Sequence, residues 1–233
     1  MLIDDFHRTV DGTVCIDADQ GSRFAKEIAG DYNPIHDTDA KRFCVPGDLL
    51  FALVLARYGL SGNMRFAFRG LVGANVPLRF PPAPDEYVEV ADTGGKVYLT
   101  VDRHGPRTDN PAALDGFTRA YVAFSGRNFP QFLHPLMAEK GVMFNPDRPL
   151  VIYDSMSFTL ETPNVDEPAL ELTGSSLDVA GKRADALLHF RITDCGRHVG
   201  TGSKKLVLSG LRPYDEDRMQ RFIDDFNRRR TAQ

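Results

Sequence analysis

Leu49-Leu50-Phe51-Ala52-Leu53-Val54-Leu55-Ala56 is apolar at all eight positions, so a helix made of it has no polar face over two turns. A helix that is hydrophobic all round belongs in a core. Eight residues are also far too few to span a bilayer. Pro46 and Gly47 punctuate its start, Asp48 suits the positive end of the helix dipole, and Gly59 with Gly62 marks its end. Burial of Leu49, Leu50, Phe51, Leu53, Val54 and Leu55 contributes about 10–15 kcal/mol as an upper bound, at about 1.5–3 kcal/mol each. The rest of the chain must wrap this helix on all sides, and a strongly curved antiparallel sheet can do so.

The polar run before it, Asp31-Tyr32-Asn33-Pro34-Ile35-His36, offers chemistry. Pro34 forbids a regular helix there, and Asn33, preceding a proline, is biased to an extended or turn conformation. Such a turn can bring Asp31 and His36 together to share a water or a substrate proton. Spacing alone fits a plainer reading more often: Asp31 caps a turn and His36 is an ordinary surface residue. Asp37 and Asp39 lie beside His36 without a second histidine nearby, and no zinc-type spacing joins the Cys and His residues, so no metal site is read.

Asp31-x-Asn33-Pro34-Ile35-His36, followed by Asp39, Ala40 and a glycine opening an apolar helix, resembles the hydratase motif of the MaoC-like (R)-specific enoyl-CoA hydratases. Those are hotdog-fold enzymes that hydrate trans-2-enoyl thioesters to (R)-3-hydroxyacyl thioesters. The whole chain also resembles a bacterial family of proteins of unknown function. The hydratase resemblance implies that Asp31 and His36 are the catalytic pair and that the N–H groups near Gly47 hold the thioester oxygen; Asn33, Gly47 and Asp48 are read as substrate-contacting residues. It implies no metal or redox cofactor; coenzyme A or acyl carrier protein is part of the substrate. Two departures stand out. Pro46 replaces the histidine usual before that glycine, and the segment from His36 to Gly47 is several residues shorter and more charged, with Asp37, Asp39, Lys41 and Arg42. Asp48 either occupies the helix-start donors and competes with a ligand, or only caps the helix.

Composition sets the frame around this site. The chain has 42% hydrophobic and 26% charged residues, as ordinary soluble globular proteins do. A net charge of −4 argues against a general nucleic-acid binder, and Arg228-Arg229-Arg230 reads as a solvated helix terminus. The N-terminal MLIDDFHRTV is acidic where a secretory signal is basic, no membrane segment is read, and Cys15, Cys44 and Cys195 read as reduced thiols of a cytoplasmic protein.

Periodicity divides the chain into two units. In residues 1–126 it predicts a strand at 13–16, a helix capped by Asp17 or Asp19 and stopped at Gly30, the central helix, and strands at 64–68, 74–80, 86–99 and 117–125. Residues 103–114 read as a polar, Pro-rich loop. In residues 127–233 it predicts a short helix at 133–140, strands at 150–161, 169–179, 184–193 and 198–208, and an amphipathic helix at 217–229. The second half repeats the later strands of the first, which gives an α+β double hotdog with a degenerate C-terminal unit. Asn128, Pro130 and His134 lie there without the catalytic spacing. Beside the hydratase stand two alternatives, a hotdog acyl thioesterase and a non-catalytic acyl-thioester-binding protein. A homodimer is left open.

Overall fold

A capping box opens the first helix: the Asp17 side chain accepts from the Gln20 N–H, and the Gln20 side chain accepts from the Asp17 N–H. This follows a hairpin of β1 (Arg8–Val10) and β2 (Thr13–Cys15). Helix α1 (Ala18–Arg23) continues as a π-helical turn (Phe24–Ala29) and stops at left-handed Gly30. Then come α2 (Gly47–Tyr58), β3 (Leu60–Phe68), β4 (Leu78–Arg79), β5 (Tyr87–Asp92) and β6 (Val97–Thr108). Helices α3 (Pro111–Ser125) and α4 (Leu133–Glu139) lead through β7 (Val142–Met143) to β8 (Val151–Leu160), β9 (Pro168–Ala180), β10 (Arg183–Asp194) and β11 (Arg197–Ser209). Strand β12 (Arg212–Pro213) pairs with β7, and α5 (Glu216–Thr231) follows. The computed structural model describes residues 2–82 and 84–231.

Among the described residues ten strands form one sheet in the order β1-β2-β4-β5-β6-β3-β8-β11-β10-β9, antiparallel throughout. The order mirrors itself about the β3–β8 pair for four strands on each side. Moving outward from that seam on one side, the strands are β3, β6, β5, β4, β2 and β1; on the other they are β8, β11, β10 and β9. Both sides follow one plan, in which the strand after the helix pairs with the last strand of its own set. The second set lacks counterparts of β2 and β1. This wrapping of α2 by an antiparallel sheet, with the plan repeated, is a double hotdog.

The central helix lies where the sequence predicts it. Leu49 to Leu55 are each at most 2% exposed, so over these two turns no face of α2 meets water; its last turn points Arg57 outward. Its core includes Phe66, Val88, Val90, Leu99 and Val101 of the sheet with Phe117 and Tyr121 of α3. A second apolar cluster packs Leu133, Leu136 and Met137 of α4 and Met219 of α5 on Leu177, Leu188, Leu206 and Leu208.

Three predicted stretches differ. Residues 117–125 are helical, not a strand: the buried positions Leu114, Phe117, Tyr121 and Phe124 recur at helical spacing, and Asn110 accepts from the Ala112 N–H with Pro111 in the first turn. Aromatic content suggested a strand, and spacing with capping overrides it. The predicted loop at 103–114 is half strand, because β6 runs on to Thr108 and the inward Arg103 guanidinium donates to the carbonyls of Tyr58, Pro84 and Asp85. Of 74–80 only Leu78–Arg79 pairs: Asn75 has φ 61° and Pro77 has no N–H to donate.

Candidate active site

Gly30 delivers the chain into the polar run with the Asp31 N–H donating to the Ala25 carbonyl at 2.8 Å. Asp31 Oδ1 accepts from the Asn33 N–H at 2.9 Å, and Asn33 Oδ1 accepts from the Ile35 N–H at 3.2 Å. These bonds build a 3-10 turn over Pro34–His36. Asp31 is therefore a turn cap, as the plainer reading has it, but His36 is not on the surface. It is 9% exposed, and its Nδ1 donates to the Cys44 carbonyl at 2.7 Å. A carbonyl only accepts, so Nδ1 carries the hydrogen and Nε2 is left to face Asp31 Oδ2 at 3.7 Å. That gap is too long for a direct hydrogen bond and short enough for both atoms to hold one water. The Val45 N–H, bonded to the Val72 carbonyl at 2.8 Å, pins the far end of the loop.

At the start of α2 no side chain caps the helix. Asp48 neither occupies the amide donors nor caps: its Oδ2 accepts from Ser125 Oγ at 2.5 Å, across to the end of α3. Ser125 in turn accepts from Lys204 Nζ of β11. Lys204 is 1% exposed, and its Nζ stands 3.9 Å from the centre of the Tyr153 ring, whose hydroxyl bonds to that of Tyr121. Burial pushes the Asp48 carboxyl up from its ordinary value, with Lys204 and Ser125 pulling it back and Asp31 adding to the rise. Burial likewise pushes the Lys204 amine down, against the pull of Asp48 and Asp31. The Cys44 thiol is pushed up by burial to about 12, which makes it a small buried filler and not a nucleophile at neutral pH. Gly47 has a steric reason: a Cβ there would lie 2.9 Å from the Tyr153 ring and 3.2 Å from that of Phe68.

One cavity collects all five residues expected at a site, Asp31, Asn33, His36, Gly47 and Asp48. Lys204, Tyr153 and Asn128 join them from the second half, and Leu133, Phe144 and Leu206 supply apolar wall. Two buried acceptors here, Asp48 Oδ1 and Asn128 Oδ1, have no hydrogen-bond partner. Helix α5 covers one flank with Phe222 and Phe226, and its Arg229 reaches Asp37 at 3.1 Å while Lys26 holds the other oxygen of Asp37 at 2.9 Å. Asn33 spends its carbonyl oxygen on the turn, so it shapes the site. His134, by contrast, bonds the Tyr214 hydroxyl at 2.9 Å, outside this cavity. Sequence reading missed Lys204. The signal was a lysine in phase with Leu206 and Leu208 on the inward side of an alternating strand.

Fold and site together define a hotdog chain with a half-buried acid–imidazole pair beside the start of its central helix. It belongs to the family described as "Protein of unknown function (DUF3581)", whose model matches residues 1–217. The likeness to hydratases rests on the short motif, and no curated protein matches the chain. Among solved structures it is similar to a conserved protein of unknown function with hot dog fold from Alicyclobacillus acidocaldarius, at 11% identity and TM-score 0.48 over 92% of this chain and 99% of that one. It is also similar to the full-length peroxisomal multifunctional enzyme type 2 from Drosophila melanogaster, at 12% identity and TM-score 0.45 over 82% of this chain and 47% of that one. A third is the acyl-CoA thioesterase II TesB2 from Mycobacterium marinum, at 11% identity and TM-score 0.41 over 93% and 99%. Overlaps this loose carry no functional argument. No helix of the described residues is long and apolar enough to cross a membrane.

Proposed function

We propose that this protein is a hydratase or dehydratase of 2-enoyl and (R)-3-hydroxyacyl thioesters, carried on coenzyme A or acyl carrier protein. The observation that carries the reading is the 3.7 Å approach of Asp31 Oδ2 and His36 Nε2 on an otherwise largely apolar cavity. Their other polar atoms are engaged by the backbone, so the two free ones are held in place to share a water. In hydration the water oxygen bonds C3 while its proton passes to this pair, and the C2–C3 electron pair shifts toward the thioester oxygen. The same proton then returns from His36 Nε2 to C2 as the enolate collapses. The first N–H groups of α2 supply positive potential for the oxygen in between.

A second reading has one observation in its favour. The Tyr153 and Phe68 rings lie against Gly47, which suits a protein that holds an acyl thioester without turning it over. Loss of enoyl absorbance, measured separately from release of free thiol, distinguishes hydratase, thioesterase and binding protein. Binding with neither signal overturns the hydratase reading.

A further inference from the structure

Beyond the acid–imidazole pair the cavity holds a second polar centre, assembled from three elements: Asp48 of α2, Ser125 of α3 and Lys204 of β11. Each member is at least nine-tenths buried. The hydrogen bonds run one way. Lys204 Nζ donates to Ser125 Oγ, which leaves the Ser125 hydroxyl hydrogen for Asp48 Oδ2. Asp48 Oδ1 is left on the cavity with no protein partner. A buried ionised oxygen without a donor is costly, whereas a carboxylic acid with its hydrogen on Oδ1 turns that orphan into a donor.

We propose that Asp48 stands in the acid form and, through Oδ1–H, donates a hydrogen bond to the carbonyl oxygen of a bound acyl thioester, with Lys204 acting through Ser125 as a positioning residue. The inference rests on the thioester reading for the identity of the ligand, and not for the protonation state. The groups that face Asp48 are Lys204, Ser125, Asp31 and His36, with the Tyr121 and Tyr153 hydroxyls, bonded to each other, beyond them. Burial and Asp31 favour the acid; Lys204, Ser125 and His36 oppose it. A carboxylic acid aimed at a developing oxyanion is a stronger donor than a backbone amide and carries no charge to repel it.

Infrared difference spectroscopy of the ligand-free full chain tests the protonation. At pH 7 the wild type should show a protonated-carboxyl C=O band that Asp48→Asn lacks. In Lys204→Met the band should persist to higher pH, because a cation that favours the ionised carboxylate is gone; a purely structural role for Lys204 would leave that titration where it was. A wild type with no such band, or a band that survives Asp48→Asn, overturns the proposal. With a saturated acyl-CoA as probe, Asp48→Ala should bind about tenfold more weakly than Asp48→Asn, which retains a donor at that point. Equal binding by the two variants also overturns it. Turnover is not read in either arm, so absent hydration of enoyl thioesters would sink the hydratase reading while the band still decides this one.

Discussion

His36 and Asp31 each divide their polar atoms between the backbone and the cavity. His36 Nδ1 is fixed on the Cys44 carbonyl and Asp31 Oδ1 on the Asn33 N–H, which frees one atom of each. Asp31→Asn and His36→Ala are therefore expected to lower any hydration rate by about 10²–10⁴-fold each, measured by enoyl absorbance, with little change in melting temperature for Asp31→Asn. An unchanged rate in either variant refutes the assigned roles. Asp48 gives a pH dependence whose sign follows from its raised folded-state value. The acid form is favoured in the fold, so its contribution to stability is complete below the ordinary carboxyl value of 3.8 and is lost as pH climbs through the raised one. Across that window the wild type should lose stability relative to Asp48→Asn in denaturant titrations, and parallel curves would contradict it. Asp31, His36 and Asp48 were legible as residues from one short motif and one helix start. Lys204 was not, because its hydrogen-bond partner Ser125 lies 79 residues away in sequence and no local pattern names it.

Helix α2 was legible because its pattern is extreme, with no polar residue from Leu49 to Ala56 and a glycine beyond each end. Helix α3 was not, since Phe117, Tyr121, Val122 and Phe124 satisfy strand composition while their spacing is helical. What α3 does for the site shows at its C-terminal end. A Cβ on Gly126 would come within 1.6 Å of the Ala29 carbonyl oxygen, a backbone atom that cannot swing aside. Close approach of these two elements sets the path of the chain into Asp31. Gly126→Ala should cost about 1–3 kcal/mol or more by overpacking, and it should lower turnover beyond what the lost folded fraction explains. Calorimetry and specific activity of the folded protein check both parts. Full activity per folded molecule would separate Gly126 from the site.

At the scale of the whole molecule, the strand plan of the first half recurs in the second; the long strands of the second half were readable from alternation and Gly turns, those of the first only in part. How the halves meet was not readable, because register across β3 and β8 depends on residues about ninety positions apart, as in Phe66 opposite Met156. Meeting there makes the cavity a joint product, with Asp31 and His36 from one side and Tyr153 and Lys204 from the other. The site thus occurs once and not twice. Titration with a tight acyl-thioester analogue should saturate near one per chain, and two equivalent sites would contradict this.

Helix α5 is placed to govern how fast that cavity empties. Its inner face is held by rings, Phe222 and Phe226 against Phe129, whereas its tip is tied by Asp37 held between Lys26 and Arg229. Simple salts do not loosen ring contacts, whereas they screen half-exposed charges. We expect the helix to act as a door hung on greasy hinges with an ionic latch. Raising salt should speed the departure of a bound acyl thioester while its equilibrium affinity changes little, and Arg229→Gln should bring the low-salt dissociation rate up to the high-salt value. Stopped-flow displacement at two ionic strengths reads this directly. A residence time that ignores both salt and Arg229 would mean the ligand leaves by another route.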